Sequence, residues 1–168
     1  MISEAVAFMA TPQHSVSDSL HFYNPQDKNG WLSAFSDHPI LLDGTWWPTV
    51  EHFFQGNKFL DATLREAVRL SCSPAEAKRL GQQFKPQRRS EWAEIKEEIM
   101  FTALKEKFRQ HPDLGVKLVE TSNAELIEDS TEDYYWGIGR GGYGANRLGC
   151  LLMKVRSDLQ KEDTSEGA

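Results

Sequence analysis

The chain has 168 residues, a formal net charge of -6 at pH 7 and 39% hydrophobic residues. This length suits one compact domain, which we expect to span residues 1–160, with an arm of uncertain structure at 1–20 and a disordered tail at 161–168. No apolar run approaches the roughly twenty residues of a membrane span, and residues 1–20 lack the basic and apolar blocks of a signal peptide. These features predict a cytoplasmic protein with no general attraction for nucleic acid.

The cysteines and histidines suggest no metal site. Cys72 and Cys150 lack metal-ligand spacing and need not pair in a reducing compartment, and the five histidines are scattered along the chain. We therefore expect no metal and no other cofactor.

The first predicted elements are a strand at 20–23 and a hairpin at 40–47. In the hairpin, two apolar runs flank Asp43-Gly44, a pair typical of a type I′ turn. The hairpin leads directly into a helix that Thr49 caps.

This helix gathers chemically active residues. At 3.6 residues per turn, Glu51, Gln55 and Lys58 fall on one face, which indicates a site. His52 points about 100° away from Glu51, so we expect it to be a structural partner. The alternative is a solvated face, on which Glu51 interacts with the helix dipole and Lys58 pairs with Asp61.

A further helix begins at Ser73-Pro74-Ala75-Glu76, a capping box with proline at the first helical position. Five cations and two aromatics follow within 78–92. Because the chain is acidic overall, this local concentration of cations indicates a site for an anion such as a substrate phosphate. The alternative is a solvated face of a helix–turn–helix.

The longest predicted helix covers 90–109, where apolar residues recur at helical spacing. Pro112 ends it, a short helix follows at 113–121, and residues 125–128 alternate like a strand. Together the elements predict one α+β domain that is mainly helical and carries a small antiparallel sheet.

Residues 133–149 contain six glycines and four aromatics. Glycine permits close backbone approach to a ligand, which we expect of Gly137, and Trp136 offers a flat surface for a base or sugar. A helix predicted at 148–159 would place its N-terminus here, where a phosphate is favourable, and Asn146 and Arg147 could hold ribose hydroxyls or phosphate. The alternative is a flexible connection.

Several motifs follow one another between Phe22 and Gly149: F-Y-N, L-S-A-F, P-I, W-P-T-x-E-H-x-F-Q-x-x-K-F, S-P-x-x-A-K-R-L-G, W, D-Y-Y-W-G-x-G and G-x-N-R-L-G. Their order and joint spacing resemble the NADAR/YbiA-like N-glycosidase family over about three quarters of the chain. The resemblance implies a YbiA-like fold and a small cytoplasmic hydrolase. One position departs from the family, because Ala34 stands where the L-S-N-F motif usually has asparagine. This difference bears on substrate identity or rate.

The resemblance implies cleavage of the bond between the anomeric carbon of ribose and an exocyclic amine. The leading hypothesis is hydrolysis of phosphorylated ribosylaminouracil-type riboflavin intermediates, which the acidic net charge favours slightly. The alternative is removal of ADP-ribose from guanine bases of nucleic acid. A hypothesis of a different class is a non-catalytic module that binds ADP-ribose or a nucleotide, but such a module would not need Glu51, Lys58 and Asp133 together. The oligomeric state stays open.

This cleavage passes through an electron-poor carbon and needs a proton at the departing amine, and carboxyl groups can assist both. The resemblance places Glu51 at the T-x-E-H position and Asp133 at the D-x-Y-W-G position as catalytic candidates. In a second route the ribose opens to an imine, and Lys58 exchanges into it as a neutral amine if burial lowers its pKa.

Three further side chains are candidates for substrate binding. Gln55 could orient the substrate or a water molecule, and Trp136 could face the ligand. For Trp92, which lies on the apolar stripe of its helix, core packing and base stacking are both open.

Overall fold

The computed structural model describes residues 18–166, with side chains described as far as residue 162. Of the arm predicted at 1–20, residues 1–17 therefore lie outside the described residues. In chain order the elements are β1 (Ser19–Phe22), β2 (Ile40–Leu42), β3 (Thr45–Trp47), α1 (Val50–Gly56), α2 (Ala62–Arg69), α3 (Pro74–Gln83), α4 (Trp92–Gln110), α5 (Pro112–Glu120), β4 (Glu125–Glu128) and α6 (Arg147–Glu166). Short 3-10 turns lie at Gly30–Leu32 and Lys85–Gln87. This architecture confirms the mainly helical α+β fold.

The predicted hairpin is present. Strands β2 and β3 pair antiparallel, and Asp43 and Gly44 both have positive φ, as a type I′ turn requires. Strands β1 and β4 form a second pair, which is parallel and was not predicted. A parallel pair needs a long crossover, and the whole chain between β1 and β4 supplies it.

Side-chain caps set the starts of three helices. Thr49 caps α1 by accepting from the backbone N–H of His52, and Ser73 caps α3 by accepting from that of Glu76. Helix α2 was missed in the sequence, although Asp61 caps it by accepting from two backbone N–H groups. Asp61 is thus used as a cap.

Two predictions about helix length are wrong. Helix α6 has 20 residues and α4 has 19, so the longest helix is the last one. Residues 161–166 belong to α6 rather than to a disordered tail, while 167–168 lie outside the described residues. Ion pairs join α6 to α4 as far as residue 162, because Lys105 contacts Asp158 and Arg109 contacts Glu162.

In the main apolar core α4 packs against both α1 and α6, and the core takes in Phe53, Phe54, Leu104 and Leu152. Every residue of α1 is buried, although the helix carries Glu51 and other polar side chains. A buried polar group is costly unless it is hydrogen-bonded or serves a site. Among the described helices none is long and apolar enough to cross a membrane.

Candidate active site

Three pockets that share lining residues form one cleft, and α1 lines two of them. The central pocket has a volume of about 220 Å³ and is lined by Ala34, Phe35, Glu51, Phe54, Gln55, Lys58, Lys78, Gln82, Met100, Glu128, Asp133, Trp136 and Leu148. On one side lies a pocket of about 350 Å³, called here the Tyr23 pocket, whose lining includes Tyr23, Asn24, Phe35, Lys78 and Glu128. On the other side lies the Arg88 pocket of about 330 Å³, whose lining includes Lys58, Arg88, Trp92 and Lys96. Asp133 lines all three pockets.

The centre of the cleft holds a hydrogen-bonded pair on α1. Nε2 of Gln55 donates to Oε1 of Glu51 at 2.6 Å, and both side chains are buried. Burial raises the pKa of Glu51, while the bond from Gln55 and the charges of Lys78 and Lys58 act against the rise. The helical spacing of four residues therefore places Glu51 and Gln55 together in the central pocket, on the face that the sequence predicted.

Helix α3 allows this pair to form by carrying a glycine opposite it. A Cβ at Gly81 would overlap Oε1 of Gln55. Glycine at this position lets α1 and α3 approach closely, and the Gln55 side chain fills the space.

Lys58 follows the end of α1 and lines both the central pocket and the Arg88 pocket. Its Nζ lies 5.6 Å from the ring centre of Phe54 and 5.9 Å from that of Trp92. Burial lowers the pKa of Lys58 to about 8, against the opposing charge of Glu51. Asp61 caps α2 instead of pairing with Lys58. The solvated-face alternative therefore does not describe this helix.

Asp133 organises the loop that closes the cleft. Its Oδ1 accepts from the backbone N–H groups of Tyr135 at 2.9 Å and Trp136 at 2.7 Å. Trp136 then packs edge-on against Phe54 with 5.4 Å between ring centres, so its ring forms part of the pocket wall. The loop is thus an ordered part of the site, unlike the flexible connection that the sequence left open.

Trp92 combines both interpretations made from the sequence. It is only 4% exposed and packs against Phe54 at 4.9 Å between ring centres, which makes it a core residue. It also lines the Arg88 pocket, so it forms part of the cleft wall.

His52 has the structural role that the sequence predicts. Its two ring nitrogens contact Thr49 Oγ1 at 2.8 Å and the carbonyl oxygen of Ser71 at 3.2 Å. These bonds satisfy its imidazole outside the cleft.

Two charged residues of the central pocket were not assigned to it from the sequence. Glu128 is the last residue of β4, and burial, with the charges of Asp133 and Glu51, raises its pKa to about 7. Lys78 enters from α3 and faces these carboxyls. The signal for Lys78 was the basic segment at 78–92, but nothing in the sequence alone separates Glu128 from the other acidic residues near it.

The amide of Asn146 has another role than the one predicted. Its Oδ1 accepts from the backbone N–H of Glu128 at 2.9 Å, and its Nδ2 donates to the carbonyl of Leu126 at 2.8 Å. Both ends of the amide therefore bind the β4 backbone. Asn146 lines none of the three pockets and supports β4 instead of contacting a substrate.

Gly137 is buried under the same loop. A Cβ there would lie 2.8 Å from the carbonyl oxygen of Glu128 and 2.8 Å from Cβ of Ser130. The close approach that this glycine permits is therefore to β4 and its following turn, and not to a ligand.

Arg147 makes a bidentate ion pair with Glu97 on α4. Its Nε and one terminal nitrogen lie 2.7 and 2.8 Å from the two carboxylate oxygens, and the Tyr135 hydroxyl donates to the same carboxylate at 2.6 Å. The backbone N–H groups of Arg147 and Leu148 donate to loop carbonyls. The first turn of α6 therefore caps the loop, and the phosphate site expected there is already occupied by protein.

Only part of the basic segment at 78–92 faces the cleft. Lys78 and Arg88 line pockets, while Arg89 forms an ion pair with Glu91 at 2.7 Å. Arg79 reaches the Tyr23 pocket but is held by Glu76. Lys96 of α4 also lines the Arg88 pocket, and the sequence did not indicate it.

A buried lysine positions the segment that carries Ala34. Nζ of Lys107, on α4, donates to the carbonyls of Trp31 and Ser33 and to the hydroxyl of Ser36 at 2.6, 3.0 and 2.6 Å. The carbonyl of Ala34 in turn accepts from the backbone N–H of Glu51 at 3.0 Å. This wall of the pocket is therefore fixed to both α4 and α1.

Within residues 18–166, no group of three or more His, Cys, Asp or Glu side chains is arranged to hold a metal ion. That the reaction needs no metal and no other cofactor stays a prediction.

The chain is similar to known proteins over most of its length. The model of the NADAR domain family matches residues 21–160. N-glycosidase YbiA of Escherichia coli strain K12 is 44% identical over 151 residues, which cover 89% of this chain and 94% of that protein. The NMR structure of E. coli YbiA superposes with a TM-score of 0.82 at 42% identity and 88% coverage of both chains. The riboflavin biosynthesis protein VVA0006 of Vibrio vulnificus is 39% identical over 142 residues, which cover 84% of this chain and 39% of that protein.

Both the sequence match and the superposition extend over most of the chain. One pocket contains the carboxyls, the amide and the amine that were predicted from the Glu51 helix and the Asp133 loop. The chain belongs to the NADAR domain family and is an N-glycosidase of that family, a hydrolase of N-glycosyl bonds.

Proposed function

We propose that the protein hydrolyses the bond between C1 of ribose and the exocyclic amine of a phosphorylated, ribosylaminouracil-type riboflavin intermediate. The observation that carries the proposal is the meeting of Glu51, Asp133 and Lys58 in one pocket that has a further pocket on each side. The similarity to a protein named for riboflavin biosynthesis supports this substrate class.

The charges of the cleft suggest how such a substrate lies in it. We place the ribose in the central pocket and its phosphate in the Arg88 pocket, where Arg88 and Lys96 supply cations. The heterocycle then lies in the Tyr23 pocket, against the aromatic ring of Phe35 and near the amide of Asn24.

In the direct route a water molecule attacks C1 as the C1–N bond breaks. Glu51 has the burial and the hydrogen bond from Gln55 that suit a carboxyl exchanging a proton with this water. Asp133 lies beside the same pocket, and its negative charge stabilises the electron-poor anomeric carbon.

In the alternative route Lys58 forms a covalent intermediate. The lone pair of the exocyclic nitrogen expels the ring oxygen from C1, the neutral amine of Lys58 adds to the resulting imine, and the original amine leaves. Water then hydrolyses the lysine imine and restores Lys58. With a pKa of about 8, roughly a tenth of Lys58 is neutral at pH 7, which is enough for a nucleophile.

A second substrate class uses the same bond chemistry. The pockets on both sides of the ribose position give the cleft room for a longer ligand, such as ADP-ribose carried on a guanine base. The hypothesis of a non-catalytic binding module does not fit an N-glycosidase, and binding alone needs neither the lowered pKa of Lys58 nor the buried Glu51–Gln55 pair.

We place the reaction in a reducing, cytoplasmic compartment. Cys72 is exposed, Cys150 is half-buried, and both are free thiols.

A direct comparison of substrates tests the proposal. Purified protein is incubated, with a chelator present, with a ribosylaminouracil 5-phosphate, with the same compound lacking phosphate, and with an oligonucleotide carrying ADP-ribosyl-guanine. We expect the phosphorylated small substrate to have the highest kcat/KM. Preference for the oligonucleotide would favour the second substrate class, while tight ADP-ribose binding without any product would contradict both substrate classes. Activity that chelation abolishes and one added ion restores would contradict the prediction of a metal-free reaction.

A further inference from the structure

The carboxyl of Glu128 contains a buried oxygen that has no partner. Among the described residues, its Oε2 is buried and accepts no hydrogen bond. The side chain lines both the central pocket and the Tyr23 pocket, so it stands where the proposed positions of ribose and heterocycle meet. A carboxylate oxygen buried without a donor is costly, whereas a protonated carboxyl can donate to a ligand.

The charges around Glu128 favour its protonated form. Asp133 from the loop and Glu51 from α1 are negative, and Lys78 from α3 is the cation that opposes them. Together with burial they raise the pKa of Glu128 to about 7, so that the carboxyl still holds a proton near neutral pH.

Glu51 has a different environment, although burial raises its pKa as well. It accepts a hydrogen bond from Gln55, and two cations, Lys78 and Lys58, face it. Hydrogen-bond donors and cations stabilise an ionised carboxylate. Of these, Glu128 has only the cation of Lys78 among the described residues. Two neighbouring carboxyls whose surroundings differ in this way are suited to opposite roles in proton transfer.

We propose that Glu128 is the general acid of the reaction and donates its carboxyl proton to the exocyclic nitrogen as the C1–N bond breaks. The inference rests on the proposed function. The electron pair of the bond stays with nitrogen, which takes the proton from Glu128 and leaves as a neutral amine. Water adds to C1 and gives a proton to Glu51, and the enzyme is restored when Glu51 loses that proton to solvent and Glu128 regains one.

Leaving-group chemistry separates this role from a structural one. An amine must be protonated to leave, whereas 4-nitrophenolate leaves without a proton. We therefore compare Glu128→Gln and Glu51→Gln on the ribosylaminouracil 5-phosphate and on 4-nitrophenyl ribofuranoside 5-phosphate. The matched control is Glu125→Gln, an exposed carboxyl at the other end of the same strand.

We expect Glu128→Gln to lower kcat on the amine substrate by about a hundredfold or more and on the nitrophenyl substrate by less than about tenfold. Glu51→Gln should lower both, and Glu125→Gln neither. Equal losses of the Glu128 variant on the two substrates, or no loss on the amine substrate, would overturn the proposal.

The unsubstituted enzyme provides a second test that does not depend on how a variant folds. Its kcat/KM for the amine substrate should fall as pH rises through about 7, because Glu128 then loses the proton it donates. The fall should be absent for the nitrophenyl substrate, and the same fall with both substrates would overturn the role of Glu128. An enzyme that cleaves the amine substrate but not the nitrophenyl one would also overturn it. An enzyme that cleaves no ribosylamine at all would overturn the proposed function as well.

Discussion

The side-chain amide of Gln55 donates a 2.6 Å hydrogen bond to Oε1 of Glu51, one helical turn earlier on α1. Because the whole of α1 is buried, this bond fixes the direction of a carboxyl that has little other freedom. The same helix ends just before Lys58, so one short element supplies a carboxyl, an amide and an amine to the pocket.

The substitution Glu51→Gln keeps the shape of the side chain but removes its proton exchange. We expect kcat to fall by about a hundredfold or more while the fold is retained, which steady-state kinetics and thermal unfolding together would show. The control is Glu66→Gln, an exposed carboxyl on α2 that pairs with Arg69 and lines none of the three pockets of the cleft. Turnover by the Glu51 variant at the unsubstituted rate would remove this residue from the chemistry.

Gly81→Ala tests whether α3 holds Gln55 in place. The new Cβ would overlap Gln55 Oε1, so the amide must move away from Glu51, and we expect kcat/KM to fall by about tenfold or more. In the background of Gln55→Ala the overlap disappears, and adding Gly81→Ala should then change kcat/KM little. If the two substitutions act additively, Gly81 does not work through Gln55.

Lys58 is the residue whose role separates the two chemical routes. If the ribose opens, borohydride should reduce the imine between Lys58 and C1, and intact mass should increase by the sugar phosphate, with peptide mapping locating the adduct on Lys58. Lys58→Arg keeps the charge but cannot form the imine, so it should be nearly inactive and untrapped, as should Lys58→Ala. Substantial turnover by the arginine variant would leave Lys58 as a binding residue and direct attack by water as the mechanism.

Arg88 and Arg147 should differ in their response to phosphate. Arg88→Ala removes a cation from the pocket wall, so it should raise KM for the phosphorylated substrate more than for its dephosphorylated analogue. The difference should correspond to a loss of roughly 1–3 kcal/mol of binding free energy, as expected for a lost charged hydrogen bond. Arg147→Ala breaks the pair with Glu97 that supports the loop, so it should affect both analogues alike. The reverse pattern would restore the phosphate role that the sequence suggested for Arg147.

Local sequence signals predicted much of the fold because they act over a few residues. Asp43-Gly44 specified the hairpin turn, and Ser73 and Thr49 specified helix starts, since each of these depends on backbone geometry or on a nearby N–H group. The parallel pairing of β1 with β4 depends on a partner that is distant in the chain, and the local sequence pattern does not contain it. The local pattern also did not predict that α6 extends to Glu166.

The site residues that were predicted correctly are likewise those related by local sequence spacing. Glu51, Gln55 and Lys58 were found together because a helical repeat relates them. Asn146 and Arg147 were misassigned, because their partners are the β4 backbone and Glu97, which are known only from the fold. Glu128 was missed because its importance comes from burial and from an unpartnered oxygen.

The most direct test of the proposed reaction is a product balance for the ribosylaminouracil 5-phosphate, measured by NMR as the reaction proceeds in the presence of a chelator. We expect ribose 5-phosphate and the free aminouracil to appear in equal amounts, at a rate proportional to enzyme concentration. With Glu51→Gln both products should form much more slowly. Unchanged substrate, or release of phosphate with the C1–N bond intact, would contradict the assignment of this protein as an N-glycosidase of phosphorylated ribosylamines.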